Sequence, residues 1–577
     1  MKKSILKMFA VASLVAVGVQ NSEAQNQNNL GAECGCPPVN TRPLVDLSSI
    51  ATAGVLNATN TVLTCNNNYL LKEKIYVADG KSITINPGTV ILGRDLGAPG
   101  AGQASCLLIE RGGQIIAAGT ATCPIVFTAA KDILTAAPDN AVDNILGNLS
   151  YDGNNTNTSA GTTGGLWGGV VICGKATNNL LTAPSSPNND AGIQVNGQPA
   201  GTGAVEGISN AEADSRTWFG GSDDNDNSGI MRYVSIRHAG DIISPGNELN
   251  SLTLASVGRG TTIDHIEVVS GGDDGIELFG GTVNLKYISM LWGDDDGLDW
   301  DLGWKGSCQF LFVLNRQNNS PTVNNIVDNG IEADGDDNNS NTAFRSHPKI
   351  YNGTFIGSNQ NAIAADNTGD AGFNFKERTE GEVFNCIVAN YNRGVVIDKV
   401  KSSRPGGPNN EAYHNWAAGF PTSGSLLIGC NTFVNSAIPL AIEDNSNYTN
   451  ILTAGVDDTK FTTDGNVSVA SLPGFDYIYN MNFAANVNAI VGGDKYDAVP
   501  DLVSTTCAAP SDGFFSPAPY RGAFKAGEKS WLSDWAILNI INATQGIVPC
   551  PTDINTDGTT NNADFLILLG EFNQSCD

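Results

Sequence analysis

Basic residues are scarce in this chain: 31 lysines and arginines stand against 59 aspartates and glutamates, giving a formal net charge of −28 at pH 7. A surface so short of positive charge excludes nucleic acid as a partner. Long apolar runs are missing too. Apart from one twelve-residue stretch at 8–19, nothing approaches the roughly 20 apolar residues that a membrane-spanning helix needs. A sustained 3.6-residue apolar period is also absent until the C-terminus, which excludes a helical bundle and predicts low helix content.

The apolar stretch follows Lys2, Lys3 and Lys7 and precedes the small-residue site Ser22-Glu23-Ala24. This is the pattern of a secretory signal peptide (1–24) cut after Ala24, so a secreted or cell-surface protein is expected. Gly31-Ala32-Glu33 before Cys34 is unlike a lipidation signal. Cleavage removes three lysines and one glutamate and moves the net charge from −28 to −30. All 12 cysteines remain, and an even count in an exported chain points to disulfides. Cys550 with Cys576 is the first pairing expected, and Cys106 with Cys123 the second. Cys34-Gly35-Cys36 is too tight for a metal knuckle when only Cys65 lies near.

The most informative feature present is a repeated phrase. Asp273-Asp274-Gly275-Ile276-Glu277-Leu278-Phe279 returns 22 residues on as Asp295-Asp296-Gly297-Leu298-Asp299-Trp300-Asp301, and again as Asp328-Asn329-Gly330-Ile331-Glu332-Ala333-Asp334. Asp370-Ala371-Gly372-Phe373-Asn374-Phe375-Lys376 and Asn392-Arg393-Gly394-Val395-Val396-Ile397-Asp398 keep the central glycine and the apolar positions. A period near 22 is about one coil of a parallel β-solenoid, whose repeats bury their apolar faces by stacking. Five segments are expected: the signal peptide, a Pro-containing leader or cap at 25–68, the β-helix with loop insertions at 69–505, a C-terminal cap at 506–546, and an end module at 547–577. Loop excursions are expected at about 137–164 and 177–229, where Asn, Thr, Gly and Ser dominate.

Gly88-Thr89-Val90-Ile91, Trp167-Gly168-Gly169-Val170-Val171, Val257-Gly258-Arg259-Gly260-Thr261-Thr262-Ile263-Asp264, Phe279-Gly280-Gly281-Thr282-Val283-Asn284 and Tyr520-Arg521-Gly522-Ala523-Phe524 resemble a family of exported right-handed parallel β-helix proteins common in Bacteroidota. The resemblance spans most of residues 70–540. It implies an all-β right-handed parallel β-helix and export, and it supplies no catalytic residue.

Two motifs could carry chemistry. Asp553, Asn555, Asp557, Thr559 and Asp564 place oxygen ligands around Gly558 with the spacing of a calcium loop, which needs six to eight converging oxygens. The loop and the apolar run after it resemble one half of a dockerin; the usual second half is not seen, which argues against a cohesin partner. The other motif is the acidic ladder. If Ile276, Leu278, Leu298, Trp300, Ile331 and Ala333 face inward, alternation sends Glu277, Asp299, Glu332, Asp301 and Asp334 outward. Carboxylates one coil apart then need screening, a cation or a shared proton.

In a lyase reading, Asp273, Asp274, Asp295 and Asp296 would hold calcium while Lys305 or Arg259 serves as base. The Gly-His-Gly and Arg-Ile-Lys pieces of polygalacturonase-like hydrolases are absent. His238 and His265 read as ordinary strand histidines, and the Asp-Gly pairs read equally well as coil corners. Asp223-Asp224-Asn225-Asp226-Asn227-Ser228-Gly229 is a further acidic loop without the 12-residue spacing, and Gly258-Arg259-Gly260 is a solenoid turn with no helix behind it to cradle a phosphate. The expected function is a non-catalytic surface or extracellular protein that binds carbohydrate or another extracellular ligand and carries structural calcium. A calcium-dependent polysaccharide lyase or glycoside hydrolase comes second, and a structural envelope or matrix protein third.

Overall fold

The apolar phrases of the repeat become strands, and the strands stack in register into a parallel β-helix. The computed structural model describes residues 30–94, 104–132, 164–180, 199–206, 208, 214–244, 247–315, 329–335, 344–357, 371–400, 411–417, 425–444, 449–470, 506–525 and 530–537. One sheet has seventeen strands and a second has twelve. In the second sheet Ile276 pairs with Leu298, Leu298 with Ile331, Ile331 with Phe373 and Phe373 with Val395. Coil steps longer than 22 residues thus keep the same register.

The repeated glycine has a physical cause. A Cβ on Gly275 would lie 2.6 Å from the carbonyl oxygen of Gly297 and 2.8 Å from Met290 Sδ. On Gly297 it would meet the carbonyl of Gly330 and Val313 Cγ1, each at 2.7 Å. Neighbouring coils approach too closely there for any side chain.

The first sheet turns a corner within its long strands. Gly229–Arg237, Thr262–Val269, Asn284–Leu291, Ser307–Leu314 and Lys349–Ile356 each carry one left-handed residue: Tyr233, His265, Tyr287, Phe310 and Asn352, with φ of 49° to 64°. Each such bend costs about 1–2 kcal/mol in a residue with a Cβ. Stacking offsets part of it, because the bends align the rings Tyr233, His265, Tyr287 and Phe310 in one column at 4.3, 4.5 and 4.9 Å. His238, with φ 58°, occupies a second bend and is fully buried.

Inside the coils lies one continuous apolar core that includes Ile276, Leu278, Leu298, Trp300, Ile331 and Ala333. The alternation read from sequence therefore holds for these strands. Outside the second sheet, Leu180, Ala204, Val205, Ile208 and Phe219 from the 177–229 insertion pack over Tyr76, Leu108, Val171, Ala255, Phe279 and Leu302. Both faces of that sheet are covered here. The outward acids therefore do not stand in open water.

Disulfides pin the terminal segments instead of joining successive coils. Cys34 bonds Cys123, Cys36 bonds Cys65 and Cys430 bonds Cys507. The expected Cys106–Cys123 bridge is wrong: Cys106 is a free, buried thiol. It packs outside the second sheet with Leu108 and Val171, whereas Cys123 precedes a first-sheet strand, Ile125–Ala129. Residues 506–525 and 530–537, within the segment expected as a C-terminal cap at 506–546, pack against the first sheet. The signal peptide, the Cys550–Cys576 pairing and the loop 553–564 fall outside the described residues. No described helix is long and apolar enough to cross a membrane.

Candidate functional site

The acidic phrases meet where the chain enters the second sheet. Asp274 Oδ1 accepts a hydrogen bond from the Asp296 N–H at 3.0 Å, Asp296 Oδ1 accepts from the Asn329 N–H, and Asn329 Oδ1 accepts from the Ala371 N–H at 3.3 Å. This run of side-chain to backbone bonds ties four coils together. Asp274, Asp296 and Asn329 are thus coil corners, as the turn reading expects. Of these corners, Asp274 also belongs to the acidic groups that could hold a metal ion.

Ligand oxygens of Asp273, Asp274 and Asp295 lie within 4.8 Å of one another, as do those of Asp274, Glu277 and Asp299. Asp273, Asp274 and Glu277 are 8, 7 and 5% exposed, which leaves little water to screen them. Burial raises the carboxyl of Asp274 well above its ordinary range, and Asp273 and Asp295 raise it further. Glu277 is raised by burial, then by Glu206 and Asp299. Asp299 is raised by burial, then by Asp274, Glu332 and Asp334, with Lys376 opposing.

Among the described residues, Lys376 brings positive charge into this ladder. Lys376 Nζ bonds Glu332 Oε1 and lies 3.3 Å from Asp334 Oδ2. It serves the lower coils. Higher up, the Asn250 amide donates to Glu277 Oε2, but Asn250 Oδ1, Thr253 Oγ1 and Asp299 Oδ1 are buried without a hydrogen-bond partner. Thr253 sits between the inward Leu252 and Leu254 and pairs in register with Glu277, so it points into the same outward column. Three or four carboxylates plus neutral oxygens form the hard-donor set that divalent cations take. The two acidic groups can hold a metal ion, and they are the groups with that geometry among the described residues.

The structure brings Asp273, Asp274 and Asp295 together and keeps Asp296 beside them as a backbone acceptor. Arg259 and Lys305 turn elsewhere. Arg259 Nη2 lies 3.7 Å from Asp224 Oδ2, and its Nη1 donates to Asn225 at 3.2 Å. Lys305 Nζ sits 5.1 Å over the Phe344 ring. Trp292, Trp300 and Trp304 are all buried, so none offers a sugar-stacking face. In the 223–229 loop, Asp223, Asp224 and Asp226 accept from Asn225 N, Thr177 N and Ser228 Oγ. Sequence reasoning missed Asn250, Thr253 and Lys376. Aligning Leu252-Thr253-Leu254 with Ile276-Glu277-Leu278 finds the first two, and Lys376 falls in the column of Asp301 and Asp334.

A family model described as a pectate-lyase-like beta helix domain matches residues 54–141 and 154–415. No curated protein and no solved structure matches the chain.

Proposed function

Because the chain belongs to the pectate-lyase-like β-helix family, and its acidic ladder brings together groups that could hold a metal ion while Arg259 and Lys305 contact other residues, we propose that it is an exported, non-catalytic protein. In this reading it binds carbohydrate through calcium held by Asp273, Asp274, Glu277, Asp295 and Asp299. The observation that carries it is the direction of those two bases: a lyase must place a base beside the metal-bound substrate, and the ladder's amine among the described residues, Lys376, is ion-paired to Glu332 and Asp334. A solenoid offers a long rigid face suited to an extended glycan. Calcium also fits the loop Asp553, Asn555, Asp557, Thr559 and Asp564 as a second, structural position.

A polysaccharide array with and without calcium, followed by product analysis on each polysaccharide bound, tests this. Chelator-sensitive retention with no change in chain length is the expected result. The enzymatic reading keeps one specific support, the proton-holding carboxyls Asp274, Glu277 and Asp299, since a general acid needs a raised pKa. Release of unsaturated or shortened products that stops with Asp295→Ala would replace binding by cleavage.

A further inference from the structure

The outward face of the first sheet carries an apolar stripe that the rest of the coil does not need. Val269, Leu291, Leu314, Ile356, Ala389 and Val434 occupy equivalent positions on successive coils, and all are at most 1% exposed. Their cover is the C-terminal segment, with Ala523, Leu532, Trp535, Ala536 and Ile537 packed into the same cluster. Bare, a stripe across six coils is an apolar patch of the size that marks association or aggregation.

Among the described residues this strap forms no strand ladder with the sheet; the first sheet's seventeen strands all lie before residue 470. Side chains and chain ends hold it. It starts at the last coils, where Cys507 is bonded to Cys430 and exchanges hydrogen bonds with the Asn385 side chain at 2.8 and 2.9 Å. It then runs to Lys286 and Gln309 with Phe514 and Ser516. Residues 520–522 return to Asn352, Asn431 and Asn385, where the Arg521 guanidinium donates to the Asn431 carbonyl at 2.6 Å. A second descent passes Thr354 and ends with the Ile537 N–H on the buried carboxyl of Glu267 at 2.8 Å.

We infer that the Cys430–Cys507 bond is a redox latch on this strap: oxidised, it holds the strap over the stripe, and reduced, it lets the strap open and bare the stripe while the coils stay folded. The two states follow from the way the strap is attached. The disulfide closes a loop of sequence separation 77, which favours the closed form by on the order of a thousandfold. Without it the strap competes with water only as a tethered segment at roughly millimolar effective concentration. The coils keep their own ladders and core in both states. Closure is a thiol–disulfide exchange with a disulfide donor of the oxidising compartment: the thiols of Cys430 and Cys507 are oxidised to one S–S bond. The donor's S–S bond is reduced to two thiols, which take up both protons; opening is the reverse exchange, in which a dithiol is oxidised to its disulfide and gives both protons to the Cys430 and Cys507 thiols.

Hydrogen exchange read by mass spectrometry on the full chain, comparing oxidised wild type with the double variant Cys430→Ser/Cys507→Ser, tests the latch. The amides of Ala523 and Ile537 should exchange about 100-fold or more faster in the variant, dye binding to apolar surface should rise, and the strand Leu252–Ala255 should keep its protection. If the variant fails to fold, folded wild type is reduced and alkylated, with Cys34→Ser/Cys123→Ser as the control for the leader disulfide. Strap amides that stay within threefold of the oxidised protein in either format overturn the latch, as does equal loss of protection in the coils.

Discussion

Replacing Lys376 with methionine keeps the volume of the side chain and removes the cation that, among the described residues, is ion-paired inside the acidic ladder. Its Nζ lies 3.3 Å from Asp334 Oδ2 and bonds Glu332 Oε1, with the side chain 22% exposed. At that distance one pair is worth about 5 kcal/mol with an effective dielectric of 20. Stranding a buried partner typically costs about 3–5 kcal/mol once desolvation is counted. A solenoid unfolds coil by coil, so the loss is local and is read by hydrogen exchange rather than by one global midpoint. Exchange at the strands Leu298–Asp301 and Ile331–Ala333 should quicken by on the order of 10²–10³-fold in cation-free buffer, while Lys376→Arg changes it little. Calcium at about 100 times its dissociation constant should restore some 2.7 kcal/mol of that loss. Unchanged exchange in Lys376→Met, together with no response to calcium, would refute the view that this ladder needs positive charge.

Further outcomes follow from the same geometry. Asp274, Glu277 and Asp299 hold protons in the folded chain above the ordinary values of 3.8 and 4.5. Their contribution is therefore present below those values and is lost as pH rises through the folded pKa. Cation-free wild type should lose thermal stability more steeply than Glu277→Gln as pH rises above the ordinary carboxyl value of 4.5, and an equal or opposite slope would count against it. Gly297→Ala puts a Cβ 2.7 Å from the Gly330 carbonyl and from Val313; about 2 kcal/mol or more should be lost in urea unfolding of that region. Asp296→Asn keeps the oxygen that accepts from Asn329 and should be nearly silent in thermal melts, whereas Asp296→Ala should lose about 1–3 kcal/mol.

How far the site was legible depended on which physical rule governed each residue. The register of Gly275 on Gly297, and the inward turn of Ile276, Leu278, Leu298 and Trp300, follow from a two-residue alternation repeated at a fixed period, so they can be read directly. Asp273, Asp274 and Asp295 converge because the same phrase places them on adjacent coils. Asn250, Thr253 and Lys376 belong to coils whose phrases diverge, and only pairing assigns them to the columns. Lys305 and Arg259 were near the acids in sequence, yet proximity along the chain sets no direction for a long side chain on a turn.

The sequence by itself determined the class of fold: a chain that repeats a glycine and alternating apolar residues at steps of 22 residues or more has no better way to bury them than to stack coils. It also determined that acids would stand in columns on the outer face. The tertiary structure alone decided how far those columns are buried, with Asp273, Asp274 and Glu277 nearly enclosed and Asp299 and Glu332 partly so. Cover over the second sheet comes from an insertion that carries no repeat, so nothing in the periodic pattern announces it. The same reason explains the disulfides, which join Cys34 to Cys123 and Cys430 to Cys507 across separations of 89 and 77 residues: they fasten segments to the solenoid, and that choice depends on where a long chain returns in space.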